Sequence, residues 1–460
     1  LTSMAGSAKV EPFSIGSDGS KVVEPHEPPN GGYGWVVVAA SFVIHLLVLG
    51  NIYSFGVLFP IYIDVFRQPQ GSVAWVGSIS AGLMTGLGSY SGAWADRYGN
   101  SRIIFLGGIF VSTGFLLASF STELWHLYIT QGFIAGIGYS LAFISGVSVV
   151  GQWFTTNRGL AVGIAVAGSG LGQFVLSLVT GILVNEYKWR VTLRILALID
   201  IVGLTLCAIA IKRFLPLTTK NNTESSLVYF KDTNFKFLYA SAVVSTLGLF
   251  MPYTHLPKYA QLHGVSTGGA IVILSIMGIA SAAGRVGIGF AADVFGKLAM
   301  LGLCMVVGGI STLCWLGCKV FWSMMLYAIV YGFFAGGVIS LFPTVCAELY
   351  GIKKLGSVAG LLYTGTAFGN LLAAPIAGFF YDGTQSYTGP IALAGSLLLS
   401  ASIFVYLVDP AKKYQPVESV SVKDSLDLLV TPPASEPTTP LDGDTRAVEA
   451  DKNDLLVEEC

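Results

Sequence analysis

Between residues 35 and 408 the chain alternates long apolar runs with short polar breaks. The apolar runs fall near 35–62, 73–95, 102–120, 124–150, 158–184, 189–214, 235–260, 268–292, 297–318, 321–347, 355–380 and 388–408. A helix needs about twenty apolar residues to cross a bilayer, and these runs supply them. None shows the in-out alternation over about ten residues that marks a barrel strand. Backbone polar groups in lipid must be satisfied within their own segment, so each run is predicted to be a helix. Twelve spans place both termini on one side. The connections on that side hold eleven basic residues: Arg97, Arg102, Arg158, Lys212, Arg213, Lys220, Lys231, Lys236, Lys297, Lys353 and Lys354. The opposite connections hold five, Arg67, Lys188, Arg190, Lys258 and Lys319. The positive-inside rule therefore predicts cytoplasmic termini. The sequon Asn221-Asn222-Thr223 then lies on the cytoplasmic side and is expected to be unglycosylated.

The pattern also repeats. "GAWADRYG" (92–99) aligns with "GFAADVFG" (289–296) at an offset of 197 residues, matching Gly92/Gly289, Ala95/Ala292, Asp96/Asp293 and Gly99/Gly296. At the same offset Gly159, Gly163, Gly168, Gly172 and Gly181 meet Gly356, Gly360, Gly365, Gly369 and Gly378, while Gln173 meets Asn370. The predicted fold is therefore all-α and integral to the membrane, with twelve transmembrane helices in two parallel six-helix repeats, the major facilitator fold. The expected organisation is an N-terminal tail (1–34), a six-helix bundle (35–214), a cytoplasmic linker (215–234), a second bundle (235–408) and a C-terminal tail (409–460). Glycines three and four apart let helices approach closely, and such packing suits halves that rock about a midplane site.

Composition narrows the function classes. The chain is 53% hydrophobic and only 11% charged, against about 25% charged for a soluble domain. A net charge of −1 gives no reason to expect nucleic acid as a partner. Cys207, Cys304, Cys314, Cys318 and Cys346 lie in apolar segments without metal-ligand spacing, and Cys460 completes no prenylation box. The first thirty residues are polar and Pro-rich, which predicts neither a signal nor a transit peptide. No nucleophile–base set, metal cluster or phosphate loop is visible, so an enzyme is not expected and no cofactor or metal is assigned.

Several motifs carry a resemblance. "ADRYGNSR" after the second span resembles the signature loop of the major facilitator superfamily, which implies that Asp96, Arg97 and Gly99, with Asp293 in the second copy and Arg158 before span 5, form a gating latch. "PNGGYGW" resembles the lead-in motif of the monocarboxylate-porter family through Gly31, Gly32, Tyr33, Gly34 and Trp35, with Asn30 where that family has an acid. From the residues alone, the glycines supply a turn into the membrane and Tyr33 and Trp35 supply interfacial rings. "WFTTNRGLAVGIAVAGSGLG" (153–172) resembles the same family's fifth-span motif, and "PTVCAELYG" and "AAPIAGFFYDGTQSY" read as family-like. The resemblance spans all twelve helices. It implies a porter of small organic acids, often proton-coupled.

Charges inside a bilayer cost about 3 kcal/mol each on insertion scales, so each asks for a reason. Arg285, within span 8, resembles the family's substrate-pairing arginine, and its planar fork suits a carboxylate. Lactate-type members carry an aspartate where Ser281 stands and a lysine where Tyr53 stands. Those departures point to a bulkier cargo as the alternative, in the manner of riboflavin-porter-like or aromatic-amino-acid-porter-like relatives. Asn51, Tyr53, Tyr253, Gln173 and Asn370 are further substrate-contact candidates, the last two as a repeat-related pair facing one another across a central cavity. Interhelical hydrogen bonding is an equal reading of that pair. His45 is the proton-coupling candidate, or a buried neutral histidine bonded to a carbonyl. Asp200 could carry protons, although span 6 is peripheral in this superfamily, and His255 could line the outer mouth.

The tail beyond 409 is acidic and Pro/Ser/Thr-rich, which predicts disorder. "DSLDLL" (424–429) and "DKNDLL" (451–456) resemble dileucine sorting signals that adaptors read. The expected location is the plasma membrane, with an endosomal or vacuolar membrane as the alternative. The expected function is secondary transport of a small organic anion, with protons as a candidate co-substrate. A transporter-like nutrient sensor without net flux is the competing class.

Overall fold

The computed structural model describes residues 30–154, 158–214, 226–351 and 355–411. The sequon, both dileucine segments, most of the two predicted tails, Lys220, Lys353 and Lys354 lie outside the described residues, as do the side chain of Arg158 and the surroundings of Gly159 and Gly356. Helices run in order as α1 (Gly34–Phe66), α2 (Gln70–Gly86 and Gly88–Tyr98), α3 (Asn100–Ala118), α4 (Leu124–Trp153), α5 (158–187), α6 (189–210), α7 (Thr233–Leu262), α8 (Thr267–Phe295), α9 (Lys297–Cys314), α10 (Phe321–Tyr350), α11 (Leu355–Thr384) and α12 (Thr388–Tyr406). Among the described residues nine helical stretches are long and apolar enough to cross a membrane. One of them holds both α5 and α6, parted only by the non-helical Lys188 (φ 63°). With α2 and α11 the spans are twelve, each within a few residues of its sequence-based range.

Three spans depart from uniform helices. α2 breaks at Leu87 between Gly86 and Gly88, where helix propensity is lowest. α4 carries a π-helical stretch at Tyr128–Ile134, where Gly132 lies against Val76 and Ile79 of α2. α7 is interrupted at Phe250, two residues before Pro252, which cannot supply the next amide donor.

The repeat seen in sequence recurs in backbone and packing. Gly99 and Gly296 end α2 and α8 with φ of 95° and 94°, a conformation that a side chain would strain. Gly168 and Gly172 of α5 press on the carbonyls of Phe42 and Leu46 in α1. Their repeat partners Gly365 and Gly369 of α11 press on Tyr239 and Thr246 of α7. Gly181 and Gly378 each close the seam between the halves, the first on Ile271 of α8 and the second on Gly71 of α2. α3 packs on α4 and α6, and α9 on α10 and α12. The outward stripe Leu198, Val202, Leu206 and Ile209 of α6 is 50–71% exposed, as a lipid-facing surface requires. Gly172→Val is expected to wedge α1 from α5 and destabilise the protein by about 1–3 kcal/mol, the usual cost of overpacking. Gly163→Val, where a Cβ meets nothing within 4 Å, is the control that should leave the melting temperature in detergent unchanged.

Candidate functional site

Arg285 is buried at the seam where α8 meets α5, and its Nη1 donates to the carbonyl of Val166 at 2.9 Å. Its Nε and Nη2 complete no further well-formed hydrogen bond among the described residues, the Tyr53 hydroxyl being the polar group nearby. The ion pairs found there join other groups: Arg213–Asp96, Lys258–Asp64 and Lys297–Glu348. Arg285 and Asp200 are the only Asp, Glu, Lys or Arg side chains buried among the described residues. A buried guanidinium with one bond made and two donors open has the geometry to accept a planar anion.

Close packing fixes where the fork sits. Gly284 brings α8 against the carbonyl of Phe333 in α10, and Gly170 brings α5 against Ala282. Tyr53 of α1 lies beside the guanidinium. His45, Tyr253 and Tyr363 are within reach of its charge. Tyr53 stacks on Tyr253 of α7 at 4.7 Å between ring centroids, with Phe250 at 5.7 Å from Tyr53. Tyr331 of α10 continues this aromatic wall at 6.2 Å from Tyr253 and donates to the Leu249 carbonyl at 2.6 Å, within the interruption of α7. The Tyr253 and Ser281 hydroxyls, both buried, lie near each other, and neither completes a well-formed hydrogen bond with any other described residue. Two expected residues, Tyr53 and Tyr253, therefore stand by the Arg285 charge.

The remaining candidates are placed otherwise. His45 Nδ1 donates to the Ser41 carbonyl at 2.7 Å, the satisfied arrangement, and its Nε2 has no partner among the described residues. Asn51 does not face the arginine: its Nδ2 donates to both oxygens of Asp200 in α6, at 2.9 and 3.0 Å. Gln173 and Asn370 are not paired with each other. Each crosses the seam to a different partner, Gln173 to the Leu274 carbonyl at 3.2 Å and Asn370 to Thr85 at 3.3 Å. The repeat relates their positions, and the pseudo-symmetry sends them to opposite sides of the seam. His255 bonds the Ala374 carbonyl at 2.9 Å and lies 3.2 Å from the Tyr387 hydroxyl.

At the face carrying the chain's ends, Asp96 pairs with Arg213 at 3.2 Å, and the same guanidinium donates to the Ala95 carbonyl and to Asn100. This ties α2 to the end of α6 within the first half. Arg97 lies over the Tyr98 ring, and Asp293 is exposed. The lead-in motif turns at Gly32 (φ 55°) and docks on the end of α4. Tyr33 packs on Trp153 and donates to the Ala210 carbonyl at 2.8 Å, while Trp35 meets Phe154 edge-on. A Cβ on Gly34 would crowd the Phe154 ring. The lead-in motif thus packs on Trp153 and Phe154, the first two residues of the fifth-span motif. Tyr33 belongs to that contact, so of the two rings only Trp35 is exposed.

Sequence reading missed Phe250, Tyr331, Tyr363 and Arg213. Phe250 stands at the repeat offset from Tyr53, so the internal match could have found it. The others sit in apolar runs or a connection with no local pattern to single them out.

A family profile described as Major Facilitator Superfamily matches residues 41–290 and 270–434. Monocarboxylate transporter 13 of Rattus norvegicus is 30% identical over 390 residues, covering 83% of this chain and 90% of the relative. Monocarboxylate transporter 11 of Homo sapiens is 30% identical over 406 residues, covering 84% of each. In fold, the chain is similar to a bacterial homologue of the human lysosomal transporter Spinster, in an inward-facing and occupied conformation. That match has a TM-score of 0.67 at 15% identity, covering 84% of this chain and 100% of the other. Duplicated six-helix halves, an intramembrane arginine and these likenesses agree: the chain belongs to the major facilitator superfamily and, within it, to the monocarboxylate-porter family.

Proposed function

We propose that this transporter carries a small organic anion by alternating access, with Arg285 as the anion's grip. The observation that carries the reading is the buried guanidinium with two donors open and no carboxylate on it among the described residues. The moving units are the bundles at 35–214 and 235–408, which rock about the seam between α2 and α11 and between α5 and α8. Both termini face the cytoplasm, as the basic connections favour. The plasma membrane is the working location, with an endosomal or vacuolar membrane as the alternative that adaptors reading the tail would select. Protons are a candidate co-substrate.

A second reading concerns the size of the anion. Tyr53 and Tyr253 stand close to the charge, and Phe250 and Tyr331 pack on their rings. Such a wall favours a ring-bearing cargo, an aromatic amino acid held by its carboxylate or a neutral flavin, over a lactate-sized one. Uptake into proteoliposomes of labelled pyruvate, phenylalanine and riboflavin tests both readings. Saturable uptake of any one, competed by carboxylates, supports transport. Binding without uptake across that set supports a sensor and removes the transport reading.

A further inference from the structure

The second buried charge among the described residues has no place in the anion site. Asp200 of α6 is 1% exposed and no cation pairs with it among the described residues. Its contacts are specific. From α1, Asn51 Nδ2 donates to both carboxyl oxygens; from α4, Tyr139 is the titratable group that faces it. α3, which also packs on α6, carries no titratable group except Arg102 in its first turn. The lipid-facing stripe of the same helix, Leu198, Val202 and Leu206, points elsewhere. An acid turned inward in a bilayer, held by a single neutral amide, asks for a function.

We propose that Asp200 is a proton-binding site within the first six helices, and that its protonation is read by α1 through Asn51. This rests on the transport reading above and assigns its proton.

The chemistry balances on two groups. The ionised carboxylate has only acceptors, so it takes the Nδ2 hydrogens of Asn51. When one proton binds, the acid acquires an O–H donor that the Nδ2 side of the amide cannot accept. A half-turn of the amide presents Asn51 Oδ1, which has no other partner among the described residues, to take that hydrogen. The two Nδ2 hydrogen bonds are thereby exchanged for one from the acid O–H to Oδ1, and the only covalent bond formed is that O–H. Asn51 lies two residues before Tyr53, the ring that stands beside Arg285 and stacks across the seam on Tyr253. Gly50, adjacent to Asn51, touches the backbone of Gly172 in α5. A change in how Asn51 is held thus acts on the stretch of α1 that touches both the anion site and the other half.

Infrared difference spectroscopy of the full-length protein in nanodiscs, titrated in H2O and D2O, tests the site without any cargo. The expected result is a protonated-carboxyl band that rises and falls with pH, disappears in Asp200→Asn, shifts in Asp200→Glu and moves in Asn51→Leu. Arg285→Gln, expected to be silent in transport, should keep the band, so loss of the anion site and loss of the proton site are told apart. The functional arm is pyruvate, phenylalanine or riboflavin uptake, whichever wild type shows. Its pH dependence should flatten at least several-fold in Asp200→Asn while exchange at equal pH persists. A band that does not respond to pH, a band unchanged in Asp200→Asn, or an unaltered pH profile in that variant each overturns the proposal.

Discussion

Arg285→Gln is expected to reduce anion uptake to background while leaving the amount of protein in the membrane unchanged. The glutamine amide ends near the position of Nε and falls short of the Val166 carbonyl, but Gly170 and Gly278 still hold α5 against α8. What disappears is the charge and the two donors left open on Nε and Nη2. Charge-assisted hydrogen bonds contribute about 1.5–3 kcal/mol each, so losing two weakens binding by roughly a hundred-fold or more. Folding should not suffer, because removing an unpaired charge from a low-dielectric seam relieves a desolvation cost. Arg285→Lys separates charge from geometry. It restores the cation without the planar fork, and uptake should recover only in part. Uptake measured beside surface biotinylation decides the matter, and normal transport by the glutamine variant would remove the site assignment.

The architecture could be read from sequence because lipid leaves the backbone few choices. Runs of apolar residues become helices, and the offset of 197 residues that relates Asp96 to Asp293 relates the packing as well. Gly172 on α1 and Gly369 on α7 are the same contact made twice. Arg285 and its tyrosines were legible for a related reason, since a charge or hydroxyl in an apolar run stands out against its surroundings. Partners were not. Nothing in the chain says that the amide of Asn51 meets Asp200, 149 residues on, because both lie within apolar helices whose rotation about their axes is set by packing. Gln173 and Asn370 illustrate the same limit. Their equivalence is a sequence fact, but whether they face each other depends on where the pseudo-twofold axis runs, and the seam sends one to Leu274 and the other to Thr85. Interruptions such as Phe250 in α7 were likewise hidden, because the apolar pattern continues through them.

The segment "AAPIAGFFYDGTQSY" holds another residue whose role comes only from the fold. Asp382, near the end of α11, accepts from the backbone amides of Gln70 and Gly71 at 2.9 and 2.8 Å. Those amides open α2, so they have no acceptor within their own helix and lie at the positive end of its dipole. The carboxylate therefore caps a helix of the other half, at the face opposite the chain's ends. Tyr387 adds a bond to the Gln70 side chain at 2.5 Å, and Gly378 sets α11 on the backbone of Gly71. Asp382→Ala breaks this latch. The two charge-assisted bonds are half-buried and screened, so their joint loss costs about 1.5–3 kcal/mol. On the alternating-access reading, that shifts the balance between closed and open at this face by roughly ten- to a hundred-fold. Spin labels at Val65→Cys and Leu262→Cys would report it, since both positions are exposed near the ends of α1 and α7, one in each half. With Cys314 and Cys318 replaced to silence them, the distance distribution should gain a longer component in the alanine variant. Asp382→Asn, which keeps one acceptor oxygen, should fall between. An unchanged distribution in Asp382→Ala would mean that the hydrophobic contacts of Phe379 and Gly71 close this face without the carboxylate.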